Sequence, residues 1–156
     1  MIMVDKMFLK EHMHNREELQ DEIGRYELII NSNMPQAIKM DGMPHGSQGT
    51  ADSIFYNTME KLETEKKIKD LREKIEKEYG IINLVIEKLA YPVEKKIIKM
   101  RYFNCMDWSD IREAEYAQRK DYHENMEKYK DKIFKVHASA LKHMKEIQEG
   151  ENEGAE

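Results

Sequence analysis

The chain has 156 residues, of which 37% are charged and 40% hydrophobic, with only 7 Gly and 3 Pro. So few turn-forming residues exclude an all-β sandwich, and the short apolar runs exclude a membrane protein. The composition instead predicts an all-α protein, either one compact domain or two small helical pieces. The formal net charge is −5, and this average taken alone argues against a nucleic-acid-binding protein.

The sequence carries no sign of an enzyme or of a cofactor. No phosphate-binding glycine loop, nucleophile elbow or HExxH motif is present. The single cysteine, Cys105, cannot form an intramolecular disulfide, and we interpret it as a small apolar residue near a turn. His12 and His14 are two residues apart, which is a poor spacing for a metal pair on one helical face. We expect no catalytic residue, cofactor or metal. Because the N-terminus lacks the pattern of a secretory signal, the expected location is the cytoplasm.

Residues 1–91 are predicted to form a helical hairpin. The first helix is indicated by apolar residues that recur every three or four positions: Leu19, Ile23, Tyr26 and Ile30. Glycine and proline residues then predict a loop at 34–50. A long charged helix follows at about 52–79, with Asp52 or Ser53 as its N-cap. The two helices are expected to pack antiparallel across the loop.

The long helix has the pattern of a coiled coil. Its apolar residues lie on heptad-like steps: Leu71, Ile75, Ile82, Val85 and Leu89. Glu78 interrupts this row. Gly80 is a position at which the helix either ends or kinks, and Pro92 ends whatever precedes Tyr91.

Residues 92–148 are predicted to be helical, with turns made by polar residues, because no Gly or Pro occurs between Val93 and Glu149. One helix contains Ile97, Ile98 and Tyr102, and a turn follows at 104–107. The next helix begins after Asp107, which together with Asp110 resembles a capping box.

The charge is segregated along the chain, so the average of −5 conceals a basic region. Residues 1–91 hold 13 basic and 17 acidic groups, residues 92–148 hold 13 and 10, and the tail at 149–156 holds four Glu and no base. We expect this acidic tail to be disordered. In the last predicted helix one face carries a row that we call the basic stripe: Lys128, Lys132, Lys135, Ser139, Lys142 and Lys145. The opposite face is apolar. A helix that lies on phosphate needs this arrangement, although lysine rows are also common on solvent-exposed helices.

Three segments within residues 92–148 resemble a known family. They are 97–102 (Ile-Ile-Lys-Met-Arg-Tyr), 108–111 (Trp-Ser-Asp-Ile) and 133–141 (Ile-Phe-Lys-Val-His-Ala-Ser-Ala-Leu). Together with the looser segments 86–89 and 43–47, they are similar to the sigma-factor region-4-like helix-turn-helix of small phage transcriptional regulators of the ArpU and RinA type. The similarity covers about two-thirds of the chain, and its last element is the most specific.

The resemblance implies a sigma-like helical bundle that binds double-stranded promoter DNA in the host cytoplasm. It places Lys132, Lys135, Ser139 and Lys142 towards DNA. His137 matches the family's histidine but lies on the apolar side of its helix, so we predict that it is buried and bonded to a neighbouring helix. Phe134 is predicted to pack inside rather than to reach a thymine methyl. Trp108, Tyr102 and Arg101 are interpreted as the core and its rim.

One departure from the family concerns the turn. The stretch between Arg112 and Tyr129 is nearly twice the family's usual length and contains no Gly. Either the supporting helix, which contains 108–111, is extended and followed by a loop near 123–125, or it merges into one rod with the recognition helix, which contains 133–141. The second arrangement removes the tight turn that major-groove recognition requires.

Two functions therefore remain open at the level of sequence. The first is a phage-type transcriptional regulator that binds operator DNA through the basic C-terminal helix, with the N-terminal hairpin used for homodimerisation or for contact with RNA polymerase. The alternative is a helical interaction module that keeps the sigma-like fold and binds polymerase or another host protein through its acidic hairpin.

Overall fold

The computed structural model describes residues 2–32 and 48–155, and within these ranges it contains helices and no strand. The predicted all-α class is therefore confirmed. In chain order the helices are α1 (Lys6–Ser32), α2 (Gln48–Ile86), α3 (Pro92–Ile98), α4 (Trp108–Tyr116) and α5 (Met126–Gly154). A π-helical segment at Lys99–Phe103 continues α3.

The chain divides into two compact units whose boundaries differ from the predicted division at residue 91. Unit 1 comprises Met1–Glu17 and Ile75–Glu156, and unit 2 comprises Glu18–Lys74. Both α1 and α2 contribute to both units. The prediction placed the boundary at a proline, whereas packing decides it: the last turns of α2 share one core with the C-terminal helices.

Unit 1 has a core in two parts. The larger part draws on the N-terminal segment, α1, α2, α3 with its π-helical segment, and α5, through residues that include Val4, Leu9, Ile82, Ile98 and Met144. The smaller part joins α3 and its π-helical segment to α4 and α5, through Ile97, Met100, Ile111 and Ile133. Complete burial of such side chains contributes about 1.5–3 kcal/mol each. The second core therefore fixes the supporting helix α4 against α5.

Helix α2 is longer than predicted. It begins at Gln48 instead of Asp52 and continues through Gly80 to Ile86, so Gly80 does not end it. Of the predicted loop at 34–50, residues 34–47 lie outside the described residues, and the remaining residues 48–50 are already helical. The gain in length follows from packing, because Ile82, Val85 and Ile86 are all buried in the core of unit 1 and hold the last turns in place.

Glu78, which interrupts the apolar row of α2, is buried rather than turned to solvent. Its carboxylate accepts a hydrogen bond from Asn15 at 2.9 Å and lies 3.2 Å from Nδ1 of the buried His12. On the other side of the imidazole, Arg16 Nε donates to His12 Nε2 at 2.8 Å. Burial lowers the pKa of His12. Because a buried carboxylate requires such partners, this network favours one register of α1 on α2 within unit 1.

Unit 2 contains the second part of α1 and the first part of α2. Arg25 donates to Glu60 at 2.9 Å, and the Tyr26 hydroxyl donates to Glu65 at 2.7 Å. These partners agree with the predicted antiparallel hairpin. The apolar residues that predicted this part of α1 are only half-buried. Near its end, Ile29 is the buried side chain instead of Ile30.

The acidic tail is helical as far as Gly154, contrary to the predicted disorder from Glu149 onwards. The prediction considered only local composition, whereas residues outside the tail contact the end of α5 and stabilise it as a helix. Gln148 is buried and exchanges two hydrogen bonds with the backbone of Val4, at 2.6 and 2.9 Å. Glu151 forms an ion pair with Lys88, and Glu149 lies 3.8 Å from Lys145.

The predicted turn at 104–107 is confirmed, and its backbone conformation is unusual. Cys105 has a φ of +53°, a left-handed conformation that costs a residue with a Cβ about 1–2 kcal/mol. Met106 N donates a hydrogen bond to Met100 O at 3.1 Å, and this bond links the turn to the π-helical segment that precedes it. Cys105 is half-buried, and burial raises the pKa of its thiol. It is a turn residue, as the sequence suggested.

Candidate nucleic-acid interface

Helix α5 separates a buried face from an exposed basic face. The buried side chains are Tyr129, Ile133, His137, Ala140, Met144 and Gln148. All five lysines of the basic stripe, Lys128, Lys132, Lys135, Lys142 and Lys145, are exposed. The 3.6-residue periodicity therefore placed the lysines correctly, and the core of unit 1 fixes the orientation of the face that carries them.

The five lysines differ in their surroundings. Lys132 Nζ lies 5.9 Å from the ring centre of Tyr116 and 5.7 Å from that of Tyr129, so the two rings restrict it. Lys145 lies 3.8 Å from Glu149. Asp131 is also exposed on this part of α5 and weakens the positive potential there.

Ser139 does not belong to the outward-facing set that the sequence predicted. Its hydroxyl donates to Glu94 Oε1 at 2.7 Å, and Glu94 is a buried carboxylate near the start of α3. His143 Nδ1 lies 2.9 Å from both oxygens of the same carboxylate. A buried charge needs donors, so the hydroxyl is used inside the protein. The spacing of Ser139 and His143 shows that they share a face, but nothing in the sequence indicates a partner 45 residues away.

Replacing Ser139 by alanine is expected to lower the free energy of unfolding by about 1.5–3 kcal/mol, because a buried carboxylate loses a donor. Urea unfolding measures the change, and Ser109→Ala on the exposed side of α4 is the matched control. If Ser139 instead bound phosphate, the same variant would keep its stability and lose DNA affinity.

An open groove lies beside this carboxylate. It has a volume of about 520 Å³ and is lined by Tyr91, Pro92, Val93 and Glu94 on one side and by Lys135, Val136, Ser139 and His143 on the other. The Tyr91 ring stacks on the His143 ring with centres 5.7 Å apart. The sequence analysis did not predict this groove.

The supporting elements lie as predicted, with exceptions at the N-cap of α4 and at Phe134. His137 is buried, its Nε2 lies 2.8 Å from the Tyr102 hydroxyl, and the Trp108 ring contacts it edge-on. Burial lowers the pKa of His137 to about 4. Asp107 occupies the N-cap of α4, but its side chain makes no capping hydrogen bond, so the predicted capping box is not formed.

Arg101 lies at the rim of the core and links the π-helical segment to the turn. Its guanidinium covers the Trp108 ring at 4.9 Å and donates to the carbonyl of Met106 at 2.8 Å. Phe134 contacts Trp108 edge-on at 5.2 Å, yet it remains 38% exposed, so it packs at the rim rather than fully inside.

The connection between α4 and α5 excludes the merged rod, but it also differs from the other alternative left open by the sequence, because α4 is not extended as far as a loop near 123–125. Helix α4 ends at Tyr116 and α5 begins at Met126, so the helices do not merge into one rod. Nine residues without a glycine form the turn. A compact helix-turn-helix uses a turn of about three to four residues, so this connection is a distinctive feature of the chain.

Aromatic and acidic side chains replace glycine in stabilising this turn. The Tyr129 hydroxyl donates to Asp121 at 2.5 Å, and Asn125 donates to the same carboxylate at 3.2 Å. The bond from Tyr129 lowers the pKa of Asp121. The rings of Tyr116 and Tyr129 stack 4.7 Å apart, and Arg112 donates to the Tyr122 hydroxyl at 3.2 Å. The turn is therefore tied to both flanking helices.

In the part of the chain that the structure describes, no three His, Cys, Asp or Glu side chains form a group able to hold a metal ion. Over the same residues, no helix combines the length and the apolar character needed to cross a membrane. No family model, no curated protein and no solved structure matches the chain.

Proposed function

We propose that the chain binds double-stranded DNA through the exposed lysines of α5 and acts as a transcriptional regulator of the sigma-region-4-like type. The observation that carries the proposal is the five exposed lysines on one face of a helix whose opposite face is fixed in the core. Each lysine that contacts a phosphate releases about one counterion, so four or five contacts give strong, salt-dependent binding.

Helices α4 and α5 provide a second line of support. They remain separate elements, joined through a shared core that contains Ile111 and Ile133. In a helix-turn-helix the second helix enters the major groove while the first crosses the backbone. With α5 as the recognition helix, specificity would come from its exposed side chains between Lys128 and Lys142.

Fluorescence anisotropy with the full chain tests this proposal. Duplexes from the intergenic DNA that adjoins its own gene are compared with shuffled duplexes of equal composition over a range of salt. We expect affinity to fall linearly with salt on logarithmic axes, and one natural duplex to bind at least about 10³ times more tightly than its shuffled version at 0.15 M salt. Equal affinities would contradict sequence-specific regulation, and no binding at low salt would contradict DNA binding altogether.

The alternative function is a helical module that binds RNA polymerase or another host protein. The observation that favours it is the nine-residue connection between α4 and α5, which departs from the tight turn of DNA-binding helix-turn-helix motifs. Sedimentation of the full chain with purified bacterial RNA polymerase, in the absence of DNA, tests it. A stable complex that survives glutamine substitution of the α5 lysines would favour this function over DNA binding.

A further inference from the structure

A groove of about 530 Å³ lies in unit 1, between the N-terminal segment and the last part of α5. We call it the N-terminal groove. Residues 3–6 line it from one side, and Leu141, Lys142 and Lys145 line it from the other. Lys142 and Lys145 belong to the basic stripe, and Lys6 adds a third lysine from α1. The groove therefore extends the positive surface of α5 onto a second helix.

Hydrogen bonds hold the backbone that carries Lys6 beside α5. Gln148 exchanges two hydrogen bonds with the buried Val4, at 2.6 and 2.9 Å. Asp5 Oδ1 accepts a hydrogen bond from Phe8 N at 2.8 Å, at the start of α1. Because Lys6 directly follows Val4 and Asp5, its backbone is fixed without a ligand. Binding to a fixed element costs less conformational entropy than binding to a mobile one.

The lining of the N-terminal groove is positively charged. It contains three lysines and one acidic residue, Asp5, so its formal charge is three minus one, or +2. Burial is the main cause of the lowered pKa of His137. The charges of Lys6, Arg101 and Lys10 lower this pKa further. The start of α1 therefore adds positive potential to the side of α5 on which His137 lies, and an anion is the complementary partner.

The depth of the lining residues suits a phosphate at the mouth of the groove. Val4 is buried and Leu141 is half-buried, whereas Lys6 and Lys142 are exposed. The apolar part of the groove therefore lies deeper than its charged part. In such an arrangement the methylene stems of lysines pack on the apolar surface and their ammonium groups face outwards. Double-stranded DNA carries its phosphates on the outside, where ammonium groups of this kind reach them.

The chain between Ser32 and Gln48 is too short to fill this groove. It has 15 residues, so a chain that leaves and returns extends at most about 28 Å from its ends. Lys6 lies at the other end of α1, 26 residues from Ser32, which is about 39 Å along the helix. Gln48 lies no nearer to Lys6, because α2 runs antiparallel to α1, with Arg25 paired to Glu60. The occupant of the groove must therefore come from elsewhere.

We propose that the N-terminal groove binds a phosphate of the DNA backbone, with Lys6 as the contact from α1. The proposal rests on the proposed function and extends its contacts beyond α5. A helix with its side chains is about 10–12 Å across and the major groove is about 12 Å wide, so α5 fills the major groove. The start of α1, which lies beside α5, then meets the strand at the edge of the groove. The groups exposed there are phosphates, which position the protein without specifying sequence.

Lys6→Gln in the full chain tests the proposal, with the same anisotropy measurement over a range of salt. We expect the slope of log affinity against log salt to fall by about 0.9 and the affinity at 0.1 M salt to fall about 8-fold. The loss should be equal for natural and shuffled duplexes, because a phosphate contact carries no sequence information. Lys145 is a less informative target, since Glu149 lies 3.8 Å from it.

Two further variants separate the contact from the charge and from the fold. Lys6→Arg retains the positive charge and is expected to retain the slope. Lys77→Gln is the matched control, since Lys77 is an exposed lysine of α2 in unit 1 that lies outside the groove and the basic stripe. It is expected to leave the slope unchanged, and urea unfolding verifies that all three variants are folded.

The outcomes distinguish this proposal from the proposed function. If Lys6→Gln keeps the wild-type slope while glutamine at the α5 lysines lowers it, the groove does not bind phosphate and the DNA-binding function stands. Equal losses in Lys6→Gln and Lys77→Gln would also overturn the proposal, because net charge would then explain both. A loss confined to RNA polymerase binding would assign the groove to an acidic protein surface instead. If the wild-type chain does not bind DNA at low salt, both proposals fail.

Discussion

Glutamine at Lys128, Lys135 and Lys142 is expected to reduce the affinity for DNA about 500-fold at 0.1 M salt. Each lysine that neutralises a phosphate contributes about 0.9 to the slope of log affinity against log salt, so three of them contribute about 2.7. Between 1 M salt, where the counterion contribution vanishes, and 0.1 M salt, a slope of about 2.7 corresponds to a factor of about 10^2.7 in affinity. The three lysines are exposed and lie on the face of α5 opposite its buried residues, so their replacement should not change the fold.

The control for this experiment separates location from overall charge. Glutamine at Lys67, Arg72 and Lys77 removes the same three charges from exposed positions on α2. We expect this second variant to retain most of the wild-type affinity and nearly all of its salt slope, since these side chains lie outside the basic stripe. Circular dichroism and urea unfolding verify that both variants are folded. Equal losses in the two variants would mean that net charge, and not α5, determines binding.

The sequence predicted the lysine face of α5 because helical periodicity is a local property. Residues three or four apart must share a face, and the apolar residues on the other side must be buried. Ser139 satisfied the same spacing and yet bonds to Glu94. Its role depends on which element lies beside α5 in the folded chain, and periodicity within one segment carries no information about that neighbour.

The turn before α5 shows a different limit of the sequence analysis. Glycine and proline mark many turns because they adopt the required backbone angles at least cost, and the stretch between Arg112 and Tyr129 contains neither. Here Asp121, Asn125 and Tyr129 supply side-chain hydrogen bonds instead. Such bonds compete with helix formation locally, but whether they form depends on the position of α4. The length of the stretch was visible in the sequence, and the way in which it turns was not.

The helical tail and the position of the unit boundary have the same origin. Four glutamates in eight residues predict disorder when only local composition is considered. The structure brings Val4 to Gln148 and Lys88 to Glu151, so contacts from distant parts of the chain hold the last turns of α5. The same N-terminal residues join the C-terminal core, which is why unit 1 includes both ends of the chain.

Acid is expected to destabilise the protein between pH 6.5 and pH 4, and His137 is a principal cause. Burial is the largest contribution to its lowered pKa, and the charges of Lys6, Arg101 and Lys10 add to the shift. The pKa is about 4 in the folded chain against 6.5 for an unperturbed histidine, so the unfolded chain binds the proton first as the pH falls. The stabilising contribution is complete above pH 6.5, declines towards pH 4 and is absent below it, with a total of about 3 kcal/mol.

His137→Gln removes this titration while keeping a polar group near the Tyr102 hydroxyl. Between pH 4.5 and 6, the free energy of unfolding of the wild type should rise more steeply than that of the variant, by about 1.4 kcal/mol per pH unit. Comparing the two slopes isolates His137 from His12, whose lowered pKa contributes with the same sign in both proteins. Urea unfolding at several pH values provides the slopes, and His14→Gln at an exposed position serves as the control. Identical slopes for wild type and His137→Gln would mean that the imidazole takes up its proton without unfolding, and that the buried face of α5 around Trp108 and Tyr102 admits a charge.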